Sequence, residues 1–275
     1  MNIGKYNTLT VVKTVNFGLY LDGGNGLEIL LPTRYVPKNA AVGDEIEVFI
    51  YRDNNGLLIA TTDHPYGTVG EFQWMKVKDV SSAGAFLDWG IMKDLLVPHR
   101  EQKSAMKVGH YYLVHIYLDA ATERITASAR IDKFLDNIPL DYERNQEVDL
   151  IIANETEFGY KTIINNCHWG LIYRNEVFRQ LSTGEKCKGY IKEVREDEKI
   201  DVSLYPLGYD KVDSIAQQII TALEQNNGYL PVSDKSDAEK IYSLFSCSKK
   251  SFKMAIGSLY KKNIIMIEEL GIRKV

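Results

Sequence analysis

The stretch Val15-Asn16-Phe17-Gly18-Leu19-Tyr20-Leu21-Asp22-Gly23-Gly24-Asn25-Gly26 places four glycines in twelve residues, with two aromatics around the first of them. Two chemistries suit such a composition. Backbone amides of a glycine loop can cradle a phosphate, or aromatic rings on a strand can offer π-faces to stacked bases. A phosphate loop needs a Lys-Ser/Thr pair leading into a helix, and none follows here, so Gly23-Gly24-Asn25-Gly26 reads as the turn after a strand. Other catalytic signatures are equally missing: the chain has no His-Glu-x-x-His and no Gly-x-Ser-x-Gly. Carboxylates such as Asp22 and Asp88 suit turns, and no enzymatic activity is expected. Cys167-His168 has the residue types of a metal ligand pair, but no second pair at suitable spacing accompanies it, so neither metal nor cofactor is expected.

The bulk properties narrow the class. Three cysteines in 275 residues, an odd number with no close spacing, suit a reducing compartment. The start, Met1-Asn2-Ile3-Gly4-Lys5-Tyr6, has no apolar segment behind a basic cluster, and no stretch approaches bilayer length. A cytoplasmic protein with no membrane contact and no small-molecule substrate is expected. The net charge of −4 hides an asymmetry, with nets of −2, 0, −5 and +3 for residues 1–63, 64–137, 138–210 and 211–275, so only the last segment is cationic.

These residues are positioned by a repeat. With Gly18, Gly84 and Gly159 as origins, Pro32, Pro98 and Tyr173 follow at fourteen residues, Gly43, Gly109 and Gly184 at twenty-five, and Ile59, Ile125 and Ile200 at forty-one. Each copy reads as five short strands, with alternation such as Glu45-Ile46-Glu47-Val48-Phe49-Ile50, which predicts a small closed Greek-key barrel. Prolines mark the junctions Asp63-His64-Pro65, Asn137-Ile138-Pro139 and Tyr205-Pro206-Leu207-Gly208. Beyond them the period turns helical. Val212, Ile215, Ile219, Ile220 and Leu223 form one apolar stripe, Ser236-Asp237-Ala238-Glu239 has the capping-box form, and Ser248 opens a third helix through Phe252, Ala255, Ile256 and Leu259. Ile264-Ile265-Met266-Ile267 and Ile272-Arg273-Lys274-Val275 complete a terminal hairpin, the element order of a winged helix-turn-helix.

The repeat resembles the S1 RNA-binding domain. The resemblance rests on Phe17-Gly18-Leu19-Tyr20, Gly170-Leu171-Ile172-Tyr173-Arg174-Asn175-Glu176, Val42-Gly43-Asp44-Glu45 and Arg124-Ile125-Thr126-Ala127-Ser128. Placed after such units, Lys249-Lys250-Ser251-Phe252-Lys253-Met254-Ala255-Ile256-Gly257-Ser258-Leu259-Tyr260-Lys261-Lys262 is similar to the conserved virulence factor B family. The implied fold is mainly β, with three tandem S1-like OB-fold five-stranded β-barrels, residues 1–63, 66–135 and 139–205, and a small α+β winged-helix domain, residues 209–275. The implied ligand is single-stranded RNA, and no catalytic residue comes with it.

Carried over position by position, the resemblance nominates Phe17 and Tyr20 in the first unit, where Pro32 and Leu58 replace the family's His and Arg. In the second it nominates Phe86 and Arg124, with Ala83 lacking an aromatic and His99 and Arg100 falling one residue late. In the third it nominates Phe158, Lys161, Tyr173 and Lys199, Lys161 exchanging stacking for a phosphate contact. No unit is complete, so each is expected to bind weakly, the second and third better than the first, with short linkers raising effective concentration. Phe17 and Tyr20 are three residues apart, so a shared face calls for a bulge, assigned to Gly18. Trp74, Trp89 and Trp169 are assigned to packing. On the third helix, Lys249, Lys250 and Lys253 stand near the N-terminus, where a recognition helix meets nucleic acid, while Lys261 and Lys262 suit the negative helix end. A post-transcriptional RNA-binding regulator is the expected function. The alternatives are a DNA-binding transcriptional regulator led by the winged helix, and a protein-interaction scaffold with degenerate barrels.

Overall fold

Each strand-opening glycine sits where no other residue would fit. In the computed structural model, which describes residues 1–136, 141–177, 179–206 and 211–275 (for 211–214 the backbone alone), the repeats share one strand plan. The first comprises β1 (Tyr6–Val15), β2 (Gly18–Asp22), β3 (Glu28–Pro32), β4 (Glu45–Arg52) and β5 (Leu58–Thr61). The second comprises β6 (Phe72–Ser81), β7 (Gly84–Leu87), β8 (Leu95–Pro98), β9 (Tyr111–Asp119) and β10 (Arg124–Ser128). The third comprises β11 (Glu147–Glu155), β12 (Gly159–Ile164), β13 (His168–Tyr173), β14 (Lys186–Val194) and β15 (Ile200–Ser203). Gly18, Gly84 and Gly159 have φ of +153°, +144° and +152°, and a Cβ on them would lie 2.1, 2.2 and 2.0 Å from the carbonyl oxygens of Leu31, Val97 and Ile172. Glycine there permits both the dihedral and the close approach of the facing strand.

The expected bulge at Gly18 is displaced. β2 pairs with β3 without irregularity from Gly18↔Pro32 to Asp22↔Glu28. The register shifts instead on the preceding strand, between Val11 and Lys13, and recurs between Val77 and Asp79 and between Ile152 and Asn154. The extra residue increases the local twist and helps curl the long first strand around the core.

Two units close into barrels, in the order β1-β2-β3-β5-β4 and β11-β12-β13-β15-β14. The parallel pairs Leu30↔Ile59, Gly170↔Ile200 and Leu171↔Asp201 complete them. The expectation of three closed barrels needs correcting at the second unit, a five-stranded sheet of order β10-β9-β6-β7-β8 whose edges lie alongside each other without a ladder. Its core contains the bulkiest of the fully buried side chains, Trp89, whose Nε1 donates to the Gly67 carbonyl at 2.8 Å. The sheet wraps this indole without bringing β8 into register with β10.

The units are fused. Phe49 and Tyr51 of β4 belong to the same apolar cluster as Met75, Trp89 and Ile116 of the second unit, with Phe49 edge-on to Trp89 at 5.5 Å. Lys93 Nζ donates to the carbonyls of Arg52 and Asp53 at 2.5 and 3.1 Å, and Arg52 pairs with Glu123. A second shared cluster joins Phe72, Leu113, Ile131 and Leu135 to Ile151, Ala153 and Ile163 of the third barrel. The picture of separate units joined by short linkers therefore gives way to a continuous body. At the first junction Pro65 is buried and His64 Nδ1 lies 3.0 Å from the Tyr6 hydroxyl. The junction Asn137-Ile138-Pro139, Leu207-Gly208 of the last junction and the side chain of Val212 lie outside the described residues.

The C-terminal unit runs α1 (Lys211–Gln225), β16 (Tyr229–Leu230), α2 (Ala238–Phe245), α3 (Lys249–Lys261), β17 (Ile265–Ile267) and β18 (Ile272–Lys274). β16 makes the hairpin three-stranded, in the order β16-β18-β17. Ile215, Ile219, Leu223, Phe245, Phe252 and Ile256 form its core. Ser248 caps α3, its Oγ accepting from the Ser251 amide at 3.1 Å. The capping box expected at Ser236 does not form. Asp237 is the N-cap, without a side-chain bond, and the Ser236 hydroxyl accepts instead from the Ser233 amide at 2.9 Å. Among the described residues no helix is long and apolar enough to cross a membrane.

Two predictions follow from these contacts. Gly159→Ala meets a carbonyl and should cost about 2–3 kcal/mol, whereas Gly26→Ala, at φ +76° with nothing within 4 Å, should cost about 1 kcal/mol. Equal losses in calorimetric melting temperature would show that the close approach is not the constraint. In the seam between the second and third units, His115 is buried and sandwiched by Phe72 and Phe134 at 4.6 and 4.0 Å. Burial, with Lys133 nearby, pushes its pKa down to about 4 against a backbone hydrogen bond that raises it. The unfolded chain then takes the proton first, so stability should be full above about pH 6.5 and fall by about 3 kcal/mol toward pH 4. His115→Phe should flatten that part of the pH–melting profile, and an unchanged slope would show that the imidazole titrates freely in the fold.

Candidate nucleic-acid interface

Alternation decides which side chains leave each barrel. Leu19 and Leu21 point into the first core, so Tyr20 between them points out, opposite Leu30. By the same rule Phe86 points out opposite Leu96, and Lys161 opposite Leu171. The residue before each glycine stands in the loop between the first two strands of its unit and escapes the alternation.

In the first unit this brings Phe17 and Tyr20 together. Phe17 is 57% exposed and meets the Tyr20 ring edge-on at 6.3 Å. Lys13, Tyr20's partner across the bulged strand, holds its Nζ 5.6 Å from the Tyr20 centroid. The sequence reading missed Lys13, because a bulge shifts the register by one residue and hides cross-strand neighbours from simple spacing.

The second unit is less well assembled. Phe86 is half-buried on β7, and Arg124 is exposed at the head of β10, across the unladdered seam from β8. His99 and Arg100, on the 3-10 turn after β8, have protein partners. His99 Nε2 lies 3.2 Å from the Ser81 carbonyl oxygen, and Arg100 donates to Asp119 Oδ2 at 3.1 Å.

The third barrel carries the most developed site. Phe158, Lys161, Trp169, Leu171, Arg195 and Lys199 line a cleft of about 500 Å³. Phe158 is 69% exposed at its mouth. Lys161 Nζ sits 3.6 Å from the Trp169 centroid and 3.8 Å from Asp132 Oδ1. Burial lowers the Lys161 pKa, opposed by Asp132 and assisted by Lys103. The guanidinium of Arg195 is locked on Asp201, Nε and Nη2 reaching Oδ1 at 3.1 and 2.9 Å, and this hydrogen bond holds its pKa up. Lys199 is exposed and pairs with Asp197 at 2.7 Å. Tyr173 lies opposite Gly159, donates its hydroxyl to Asp201 Oδ2 at 3.3 Å and has Lys192 5.3 Å from its ring centroid.

Of the nominated residues, Phe158, Lys161 and Lys199 converge on one cleft, with Tyr173 on the adjoining surface. Trp169 and Arg195 were missed. Trp169 is half-buried and packs against the seam cluster, but its ring also carries Lys161. Strand parity offered the signal, since residues 169, 171 and 173 of one strand share a face. Exposed aromatic faces beside cations suit stacked bases and their phosphates. Asp197, Glu198 and Asp136 also border the cleft, so phosphate must compete with carboxylates for these cations.

On the winged helix, Lys249, Lys250 and Lys253 project from the first half of α3, Lys253 Nζ standing 4.0 Å from Asp234 Oδ2. Cys167 is exposed and the His168 ring bonds the Tyr142 hydroxyl at 2.9 Å. Among the described residues no three His, Cys, Asp or Glu groups converge in a way that could hold a metal ion.

Comparison with known proteins finds matches to parts of this fold. Residues 3–63 and 69–129 match the S1 domain, and residues 217–273 match the CvfB-like winged helix domain. The third barrel lies outside these matched ranges and repeats the same strand order. A protein of Staphylococcus epidermidis named conserved virulence factor B is 28% identical over 97% of this chain and 92% of its own length. An uncharacterized protein of Bacillus subtilis, YitL, is 29% identical over 98% and 92% respectively. A solved structure from Streptococcus pneumoniae, described as a multidomain protein with nucleic acid binding domains, aligns over 99% of this chain and 98% of its own at 22% identity, with a TM-score of 0.44.

Proposed function

We propose that this chain, similar over nearly its whole length to proteins named conserved virulence factor B, is an RNA-binding protein that holds single-stranded RNA chiefly on its third barrel and acts after transcription, in the cytoplasm and without catalysis. The observation that carries this reading is the cleft where Phe158, Lys161, Trp169 and Lys199 meet. Phe158 offers its ring face to a base of any identity, while Lys161, held over the Trp169 ring, and Lys199 reach for the backbone beside it. Such a site selects unpaired strands, because bases in a duplex cannot splay onto a protein ring.

The winged helix adds a cationic end. Lys249 and Lys250 stand on the first turn of α3, whose start is fixed by the Ser248 cap, and this part of a recognition helix is the one that meets bases in winged-helix and related proteins. Duplex DNA led by this helix is the second reading, supported by that placement and by the +3 charge of residues 211–275.

Fluorescence anisotropy with single-stranded RNA, single-stranded DNA and duplex DNA separates the two. Phe158→Ala combined with Lys199→Ala should weaken single-stranded RNA binding about tenfold or more, by the roughly 1–3 kcal/mol per stacked base plus a lost phosphate contact, with the melting temperature unchanged. Lys249→Ala with Lys250→Ala should weaken it less. Preference for duplex DNA, abolished by the lysine pair and untouched by the cleft pair, would reverse the assignment.

A further inference from the structure

The cleft of the third barrel does not end at that barrel. Lys161 and Trp169 also line a second hollow, of about 320 Å³, at the seam with the second unit. Its far wall is formed by Trp74 of β6 and Tyr111 of β9, with Lys103 beside them. The Trp74 and Tyr111 rings are stacked, with centroids 6.3 Å apart and planes 20° from parallel, yet they are 37% and 49% exposed. An aromatic pair serving only as packing is covered, as the edge-on pair Phe49 and Trp89 is in the core shared by the first two units.

The pair belongs to two bodies at once. A Cβ on Gly184, in the loop before β14 of the third barrel, would come 2.2 Å from Trp74 Cγ, so the indole is seated directly on that glycine and the third barrel sets its position. The cations are shared in the same way. Asp132 Oδ2 takes Lys103 at 3.0 Å and Asp132 Oδ1 takes Lys161 at 3.8 Å, leaving one net positive charge for the trio in the trough. Trp74 and Tyr111 lie on the first and fourth strands of the second unit, whereas Phe86 of that unit lies on the second. The platform is thus separate from the surface that the S1 resemblance nominates there.

Resting on the proposed reading of the third barrel, we infer that single-stranded RNA leaving the Phe158–Lys161–Trp169 cleft crosses the seam and stacks a base on the exposed Trp74–Tyr111 pair, with Lys103 and Lys161 taking the intervening phosphates. Two aromatic stations flanking a pair of lysines form one track across two fused units. The strand does not have to order a linker to reach the second station, so the gain from it is not eroded by tether entropy.

Affinity as a function of oligonucleotide length tests this in the full chain. Oligouridine of about 4 nucleotides fits one barrel face, and one of about 12 is long enough to reach the seam. Tyr111→Ala, and separately Trp74→Ala, should weaken binding of the longer strand about tenfold and leave the shorter one unchanged, while Trp74→Phe restores the longer strand's affinity by keeping a ring. Phe158→Ala should weaken both lengths. Loss with Phe158→Ala but none with Tyr111→Ala or Trp74→Ala overturns the track while the third-barrel site stands. The same holds if those two variants lower the melting temperature and leave both affinities intact, which makes the pair seam packing. Absence of binding by the unaltered chain at either length overturns the site and the track together.

Discussion

In each of the three repeats a glycine backbone lies against the carbonyl of the facing strand, closer than any Cβ would allow. Gly18 on Leu31, Gly84 on Val97 and Gly159 on Ile172 are the same contact made three times. It fixes where the second strand begins, and so lifts the residue before the glycine onto a turn at the rim while the residue two after it points out from the sheet. Whatever side chains occupy those positions meet at one edge of the barrel. In the first repeat they are Phe17 and Tyr20, in contact with each other. In the third they are Phe158 and Lys161, which open a cleft instead of closing a stack, because Trp169 on the neighbouring strand draws the lysine over its own ring.

Fusion of the units is the second determinant. Shared clusters around Phe49 with Trp89, and around Phe72 with Ile163, remove the freedom that a chain of separate modules would have. Sites on such a body cooperate only if a strand can follow its surface, and the reward is that aromatic stations are held in place before binding. The cations are held as well. Arg195 on Asp201, Lys199 on Asp197, and Lys161 between Trp169 and Asp132 are positioned by carboxylates that phosphate must displace. The −5 charge of residues 138–210 disfavours nonspecific attraction of phosphate.

Most of the architecture was legible because it rests on spacing. A glycine, a turn position, a second glycine and a late isoleucine at fixed separations in three copies announce one strand plan, and the period change after Pro206 announces helices. Closure of the second sheet was not legible, since the alternation of β8 and β10 looks the same whether or not the two strands pair. Whether Phe17 and Tyr20 share a face was tied to a bulge at Gly18, and they meet without one there: the bulge lies in β1, and Phe17 is outside the strand. Lys13 was hidden by the shifted register, and Trp169 was assigned to packing alone although it serves packing and the cleft together. Shared cores between units could not be seen at all, because the outward residues of one barrel and the inward residues of the next look equally apolar in sequence.

The most direct test of the third-barrel site is photocrosslinking of the unaltered chain to single-stranded 4-thiouridine RNA, with the attached peptides identified by mass spectrometry. Crosslinks are expected on the segment from Phe158 through β13, which holds Phe158, Lys161 and Trp169, in excess of those on the segment from Phe17 through β3 of the first barrel. Crosslinks confined to α3 of the winged helix, with the third barrel unlabelled, would contradict the assignment.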